Sequence, residues 1–523
     1  MQRGSRRSGL FAAGLASVAL LLAACSATPT TSQTSGAPAP TQSVAPKAGG
    51  NLVLGVTSDP DTLFPWKATQ FQAVAVLQTL YGTLTEFDQN LNVVPGLAES
   101  WNVSTDGLTV TLHLRKGVTF ADGSTFDSAD VVSSLQRIKD KATAAVAASS
   151  LASVTNVAAP DASTVVLTLS APDAALLANL ASVNMAMLSS DDTEAKLTTT
   201  PDGTGPFVFK TRTPNQSLTI ARNDKYWGDK ALLDTVEFRV IPDETSIVSA
   251  MQSGNVQMAV LNDPLVAKTA SAGTIHVEKT PQLSYHVLQL NATKGVLADV
   301  NVRLAVQCAI DRQQVLDTAA LGEGEVTGPI TSPAYKSDPN DRPCPTRDLA
   351  KAKDYLAKAG HPDGVTIKTI VSTGEYSTSV NEAQNLQAQL AEAGIKLDLE
   401  VLESGAYVDR WVAADFEAAV ALNGGRPDPD GMYGRYFTST GNLNKVAGYS
   451  SPTLDQLFVQ GRASSDPAVR KPIYQKIGEE LENNAAWIWL FTSYNYTATL
   501  PNVSGFIPMS NNSLQYLRTT SLS

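Results

Sequence analysis

Histidine and cysteine are scarce in this chain of 523 residues, which holds four of the former and three of the latter. The histidines, His113, His276, His286 and His361, are far apart, and neither a His-Glu-x-x-His nor a Gly-x-Ser-x-Gly motif is present. This scarcity argues against zinc hydrolases and serine hydrolases. A single attractive metal ligand, His286, does not make a metal centre. We therefore predict no catalytic residues, no metal and no cofactor.

Basic residues are also fewer than acidic ones. The chain has 39 Lys and Arg residues against 50 Asp and Glu, for a net charge of −11. No long Lys/Arg stripe is present, so nucleic acid is not a predicted partner. Hydrophobic residues make up 43% and charged residues 17% of the chain, as in ordinary soluble globular proteins. Because a single core rarely grows past about 250–300 residues, the length predicts two lobes.

The N-terminus carries the clearest local signal. Arginines precede an apolar run over 10–24, which is shorter than the roughly 20 residues that span a bilayer. The run ends in Leu22-Ala23-Ala24-Cys25, which resembles a bacterial lipobox, where the cysteine is lipidated and becomes the first mature residue. A plain secretory signal is the alternative. We predict a lipoprotein signal peptide over 1–25 and, from its nearly uncharged Ser/Thr/Pro-rich composition, a disordered tether over 26–48.

Export would place the folded part in an oxidising compartment. The two remaining cysteines, Cys308 and Cys344, then most simply form one disulfide. The alternative, a metal pair, lacks nearby His or Cys partners.

Hydrophobic periodicity changes along the chain. The first half predicts strands over 51–56 and 109–114, helices over 71–87 and 127–138, and short strands between 160 and 240. The second half predicts helices over 302–319, 348–359, 381–393, 454–463 and 468–483, with strands over 365–371, 397–401 and 487–499. The alternation of helices and strands is typical of an α/β lobe with a largely parallel sheet.

A run of residues over 97–132 carries the most specific motifs. It contains Leu97-Ala98-Glu99-Ser100-Trp101, Leu112-His113-Leu114-Arg115-Lys116-Gly117-Val118-Thr119-Phe120 and Asp127-Ser128-Ala129-Asp130-Val131-Val132. Further blocks follow in order, among them Gly203-Thr204-Gly205-Pro206-Phe207, Asn223-Asp224-Lys225-Tyr226-Trp227-Gly228 and Ala309-Ile310-Asp311-Arg312. Together they resemble the large solute-binding lipoproteins of ABC importers, solute-binding family 5, which holds peptide- and nickel-binding members. Most of these residues are expected to be scaffold.

The resemblance implies a bilobal α/β fold of the periplasmic-binding-protein type (type II, the large cluster with an extra subdomain), with two lobes joined by a two-segment hinge. Lobe I would comprise 49–284, with the extra subdomain at about 90–200, and would be completed by 491–523. Lobe II would comprise 285–490. The chain would cross between the lobes near 285–287 and 490–492.

A loop in lobe II departs from the pattern of the peptide-binding relatives. Those relatives place an aspartate, which pairs with the peptide α-amino group, four residues before the proline of an acidic-Pro-acidic element. Here the element is Asp428-Pro429-Asp430, so Gly425 takes the aspartate's place and Arg426 follows. Arg426 offers a planar fork suited to carboxylates, phosphates or sugar hydroxyls. Its alternative role is to brace the loop by pairing with Asp428 or Asp430.

We predict ligand contacts from this loop and from neighbouring aromatics. The loop residues are Asn423, Gly425, Arg426 and Asp428, of which Asp428 could supply an amino anchor if the loop shifts. Trp66, Tyr433 and Trp489 adjoin loops or crossings, and aromatic faces bind peptide side chains and sugar rings alike. The alternative for each aromatic is burial in the core, which is the more common role of such a residue.

The family resemblance implies a monomeric substrate-binding component of an ABC importer, lipid-anchored at the outer face of the cell membrane. It would bind a peptide or other small solute and deliver it to permease subunits without chemistry. A carbohydrate or anionic organic solute is the alternative cargo, and a nickel or metal complex a remote one. An exported enzyme and a ligand sensor without an importer are the rival functions.

Overall fold

The computed structural model describes residues 47–373, 376 and 378–523. The predicted signal peptide, the lipidation residue Cys25 and nearly all of the predicted tether lie outside the described residues. Within the described part, none of the helices combines the length and the apolar character needed to cross a membrane.

The strands fall in four sheets. In chain order they are β1 (Asn51–Val56), β2 (Thr85–Phe87), β3 (Val93–Pro95), β4 (Ala98–Val103), β5 (Thr109–Leu114), β6 (Val154–Asp161), β7 (Thr164–Leu169), β8 (Phe207–Thr213), β9 (Ser217–Arg222), β10 (Thr235–Val240), β11 (Met258–Leu261), β12 (His276–Pro281), β13 (Tyr285–Leu290), β14 (Gly324–Val326), β15 (Val365–Ser372), β16 (Ile395–Leu402), β17 (Ala418–Asn423), β18 (Trp487–Thr499), β19 (Val503–Ser504) and β20 (Ser521–Leu522).

The α-helices are concentrated in the second half of the chain. They are α1 (Phe71–Leu80), α2 (Ser128–Lys139), α3 (Ala175–Asn179), α4 (Glu194–Leu197), α5 (Glu244–Gln252), α6 (Pro264–Ser271), α7 (Val300–Cys308), α8 (Arg312–Ala319), α9 (Leu349–Lys358), α10 (Ser379–Ala391), α11 (Ser404–Ala413), α12 (Pro429–Phe437), α13 (Asn444–Ala447), α14 (Pro452–Arg462) and α15 (Pro467–Asn483). Short 3-10 helices lie at Pro65–Lys67, Lys141–Thr143, Ala148–Leu151, Val183–Met185, Gly295–Ala298, Pro333–Tyr335 and Gln515–Thr519.

The long strand β18 belongs to both halves of the largest sheet. Its first part pairs with β13 and β14, and its last part, from Tyr494 to Thr499, pairs with β11 and β12. The strand order is β16-β15-β17-β13-β18-β11-β1-β10-β9-β8. β15 pairs in parallel with β16, and β1 with β10, so each half has the parallel part typical of α/β folds.

Most buried apolar side chains of the described residues fall into two sets on either side of the middle of β18. The first set runs from Leu52 to Ile275 and is joined by side chains between Tyr496 and Leu517. The second runs from Tyr285 to Phe491. We keep the names lobe I and lobe II for the parts of the chain that surround these two sets of cores.

The two segments that join the lobes run side by side. His286 of β13 and Phe491 of β18 are partners in the antiparallel ladder, and their rings stack with centroids 4.2 Å apart. His286 Nε2 lies 2.9 Å from Ser493 Oγ, and its Nδ1 lies 2.9 Å from Glu382 Oε1. The residues predicted for the crossings therefore lie together, in a buried and hydrogen-bonded arrangement.

The segment with the most specific motifs builds a separate antiparallel sheet, β4-β5-β7-β6, within lobe I. Along β5 the side chains alternate, with Leu112 and Leu114 buried. Helix α2 begins with a capping box in which Asp127 accepts from the Ala129 amide and Asp130 accepts from the Asp127 amide. These residues thus form scaffold.

Two helix predictions were wrong in their extent. The helix predicted over 71–87 ends at Leu80, because the Leu80 carbonyl, which a longer helix would offer to residue 84, accepts from the Gly205 amide at 2.9 Å. The helix predicted over 302–319 is two helices. Asp311 caps the second by accepting from the Gln314 amide, and Asp299 caps the first by accepting from the Asn301 amide.

Candidate functional site

A cleft of about 500 Å³ lies between the two lobes, beside the joining segments. Lobe I contributes its lining from several loops, including Gln78, Tyr81, Glu86, Asn179, Ser182, Tyr226, Asn511, Asn512 and Arg518. Lobe II contributes Gly425, Arg426, Pro427, Asp428 and Gly431. The joining segment adds Gln282, Leu283 and Ser284. A solute bound here would contact both lobes.

The loop that follows β17 brings lobe II to the cleft. The loop begins at Asn423, whose side chain is buried. The Asn423 amide oxygen accepts from Gln289 Nε2 at 3.1 Å, and its nitrogen donates to the Tyr285 hydroxyl at 3.3 Å. Gly425 then passes so close to the joining segment that an added Cβ would lie 1.9 Å from the Leu283 carbonyl oxygen. The Leu283 carbonyl therefore leaves no room for a side chain at position 425.

Both aspartates of the acidic-Pro-acidic element are already paired. Asp428 accepts two hydrogen bonds from Arg470, at 2.6 and 3.1 Å, and also caps α12 by accepting from the Asp430 amide. Asp430 accepts from Arg462 Nε at 2.8 Å. Because Arg470 and Arg462 brace the loop, the bracing role considered for Arg426 is wrong. Asp428 lines the cleft, but its carboxylate is already bound by Arg470.

Arg426 differs from the other charged residues of the loop. It is exposed on the cleft side, and the described residues give it no ion pair and no side-chain hydrogen bond. Partial burial, and then the neighbouring Arg435 guanidinium, lower the pKa of Arg426 from its ordinary value. Arg426 is therefore a cation that the protein itself does not neutralise.

The three aromatic predictions are corrected by the structure, because all three side chains are core. Trp66 is fully buried, and its indole Nε1 donates to the Ala186 carbonyl at 2.9 Å. Tyr433 and Trp489 are also fully buried, with Trp489 Nε1 donating to the Tyr433 hydroxyl at 3.0 Å. Tyr433 in turn donates to the Pro329 carbonyl. Their polar atoms are satisfied inside the lobes, so they do not line the cleft.

Several cleft residues carry no signal in the sequence. Arg518 donates to Glu86 Oε2 at 3.0 Å, and the pair lines the lobe I side although its members are far apart in the chain. Tyr226 lies in one of the family motifs, which we interpreted as scaffold, yet it also lines the cleft. Only the folded chain brings these residues together.

Cys308 and Cys344 lie in lobe II and outside the cleft lining. The structure joins Cys308, at the end of α7, to Cys344 in a disulfide with the Cα atoms 5.0 Å apart. Among the described residues, no group of three or more His, Cys, Asp or Glu side chains is arranged to hold a metal ion.

Comparison with known proteins identifies the family. The model of the bacterial extracellular solute-binding proteins, family 5, matches residues 92–444. The chain belongs to this family. The glutathione-binding protein GsiB of Escherichia coli is 27% identical and aligns over 97% of both chains. The probable di/tripeptide-binding protein 5 of Pseudomonas aeruginosa is 31% identical over 83% of this chain and 88% of its own.

The likeness extends to solved structures of family 5 proteins. The structure of HbpA2 from Haemophilus parasuis matches with a TM-score of 0.83 and 26% identity, covering 91% of this chain and all of that one. The predicted family and the predicted bilobal α/β fold are thereby confirmed. The chain is a solute-binding protein of family 5, and the interlobe cleft is its candidate binding site.

Proposed function

We propose that this protein is the substrate-binding component of an ABC importer and captures a peptide or peptide-like solute in the interlobe cleft. The observation that carries the proposal is a cleft lined by both lobes beside two paired joining strands. The names of two relatives, which describe glutathione binding and di- or tripeptide binding, support a small peptide-like cargo.

The proposed mechanism is a change of lobe arrangement without chemistry. A solute that contacts Arg426 on lobe II and the amides and hydroxyls of lobe I stabilises the closed arrangement, because only that arrangement offers both sets of contacts. Permease subunits of the importer then recognise the closed protein and receive the solute unaltered. Turnover of a bound solute would favour an enzyme instead, and a deletion without an uptake defect would favour a sensor.

A carbohydrate or anionic organic solute is the second candidate cargo. Gly425 stands where peptide-binding relatives have an amino-binding aspartate, and the Leu283 carbonyl leaves no room for a side chain there. The lobe I lining is rich in neutral amides and hydroxyls, among them Gln78, Asn179 and Ser182, which suit sugar hydroxyls as well as peptide groups.

The proposed location is the outer face of the cell membrane, with Cys25 lipidated and the protein a monomer. The lipobox-like Leu22-Ala23-Ala24-Cys25 supports this anchor. Detergent-phase partitioning of the full chain tests it. Wild type should enter the detergent phase and Cys25→Ser should not, and equal partitioning of the two would contradict the anchor.

Two measurements on the full chain test the binding function. Native mass spectrometry of protein purified without a denaturing step should show a bound small molecule. Small-angle scattering should show a smaller radius of gyration when that molecule is returned to stripped protein. Scattering that is unchanged by the molecule would count against closure around a solute.

A further inference from the structure

Two guanidinium groups in the described part of lobe II have neither a carboxylate partner nor a hydrogen bond. Arg426 lies in the loop after β17, and Arg435 lies in α12 with its guanidinium over the ring of Tyr436, 4.7 Å from the centroid. Within the described residues, neither arginine side chain makes an ion pair or a hydrogen bond, and Arg435 Nε is buried. The nearby carboxylates are taken, Asp428 by Arg470 and Asp430 by Arg462.

The charges of Arg426 and Arg435 influence the pKa values of the same few groups in lobe II. The charge of Arg435 lowers the pKa of Arg426, after the larger effect of burial. Burial raises the pKa of the Tyr436 hydroxyl, and the charges of Arg435 and then Arg426 oppose that rise. Arg426 thus lines the cleft, whereas Arg435 and Tyr436 lie outside the cleft lining and influence Arg426 through their charge or polarity.

The rest of the cleft supplies no spare anion. Among the described lining residues, Glu86 is paired with Arg518 and Asp428 with Arg470, and the other polar groups are neutral amides and hydroxyls. When the lobes close, water leaves Arg426, and an unpaired charge in a water-poor site is strongly unfavourable. Closure is thus disfavoured unless the solute itself brings a negative group.

We propose that Arg426, with Arg435 beside it, binds a carboxylate of the solute, so that the cargo is an acidic, peptide-sized molecule whose carboxylate faces lobe II. This inference rests on the proposed function and narrows its substrate class. It reverses the polarity expected from the peptide-binding relatives, in which this loop holds an aspartate for a ligand ammonium.

Matched probes separate the inference from the proposed function. The full chain, stripped of bound molecules, is titrated with glutathione and with a set of di- and tripeptides, each as its free acid and as its C-terminal amide. Heat of binding reports affinity and small-angle scattering reports closure. We expect the acids to bind at least tenfold more tightly than their amides, a difference of about 1.4 kcal/mol.

Three outcomes have distinct meanings. A preference for acids supports the carboxylate site. Equal binding and closure with acids and amides overturns the carboxylate site and leaves the proposed function in place. No binding by any member of the set contradicts a peptide-like cargo, and with it the acidic cargo inferred here.

Variants assign the preference to the two arginines. Arg426→Ala should weaken acid binding at least tenfold and remove most of the preference for acids over amides, because Arg435 lies outside the cleft lining and acts only through its charge. Arg426→Lys should retain part of the preference, since it keeps the charge but not the fork. Arg435→Ala should weaken acid binding severalfold, and an unchanged affinity would overturn its part in the site.

Arg410→Ala serves as the matched control. Arg410 is also a lobe II arginine, but it pairs with Glu400 and lies outside the cleft lining. Its loss should leave both the affinity and the acid preference unchanged. A loss equal to that of Arg426→Ala would show that general charge, rather than this site, attracts the acids, and would overturn the assignment.

Discussion

Arg470 binds the carboxylate of Asp428 through both terminal nitrogens, with Nη1 2.6 Å from Oδ2 and Nη2 3.1 Å from Oδ1. Both side chains are buried, and Arg470 also donates to the hydroxyls of Tyr335 and Tyr474. The ion pair therefore fixes the start of α12, and with it the cleft loop, to the helix α15.

Removal of Arg470 should destabilise the protein strongly. Arg470→Met leaves Asp428 as a buried carboxylate without its partner, and such a loss costs about 3–5 kcal/mol. The matched variant Arg462→Met breaks a pair whose side chains are 31% and 13% exposed, so it should cost less than Arg470→Met. Urea unfolding of both variants provides the comparison, and equal losses would contradict the difference drawn between the two pairs.

The two adjacent glycines of the loop should respond differently to alanine. In Gly425→Ala the new methyl would meet the Leu283 carbonyl, so the loop or the joining segment must move, at a cost of about 1–3 kcal/mol. Gly424 has no atom within 4 Å of an added Cβ, so Gly424→Ala should change stability by about 0.5 kcal/mol or less. Thermal unfolding measures both, and a stable Gly425→Ala protein would show that the contact with Leu283 is easily relieved.

Asp430 should make stability depend on pH. Burial raises the pKa of its carboxyl to about 6, against the opposing effect of Arg462. The folded state therefore holds this proton more tightly than the unfolded state, so the contribution of Asp430 to stability is complete below about pH 4 and is lost as pH rises through 6. The difference in unfolding free energy between Asp430→Asn and wild type should thus favour the variant more at pH 7 than at pH 4.

Urea unfolding of the two proteins at pH 4, 5, 6 and 7 gives that difference directly, because other titrating groups are common to both. A difference that stays constant over this range would show that the carboxyl titrates normally in the folded protein.

The disulfide should contribute substantially to the stability of lobe II. It spans 36 residues of sequence, for which the loop-entropy model gives roughly 3–4 kcal/mol. We expect wild type to lose this amount of unfolding free energy in the presence of a reductant. The double variant Cys308→Ser/Cys344→Ser should show the lower stability with or without reductant. A wild type that is insensitive to a reductant known to have reached its thiols would contradict the prediction.

Elements defined by local sequence could be predicted, and elements defined by long-range contacts could not. The strand over 109–114 alternates in the sequence and alternates in burial, since its pattern reflects its own two faces. The end of α1 at Leu80 depends on Gly205, which no local pattern reveals. The hydrophobic residues over 302–319 repeat at helical spacing without a break, yet Asp311 caps a second helix within this segment.

The candidate site shows the same division. Counting along the loop identified Gly425 and Arg426, because a family pattern fixes their place. The aromatics were misplaced, because an aromatic beside a loop can face the core or the cleft, and Trp66, Tyr433 and Trp489 face the core. We did not predict a role for Arg435. That role depends on Arg435 having no ion pair among the described residues, and the sequence does not show that Asp428 and Asp430 pair with other arginines.

The shared strand β18 also bears on how the protein reaches its native state. Trp487–Thr499 lies between β13 and β11, so the two halves of the large sheet are connected through this strand. Before this strand is in place, the described strands β12 and β14 have no partner in the sheet, and its two halves are not joined.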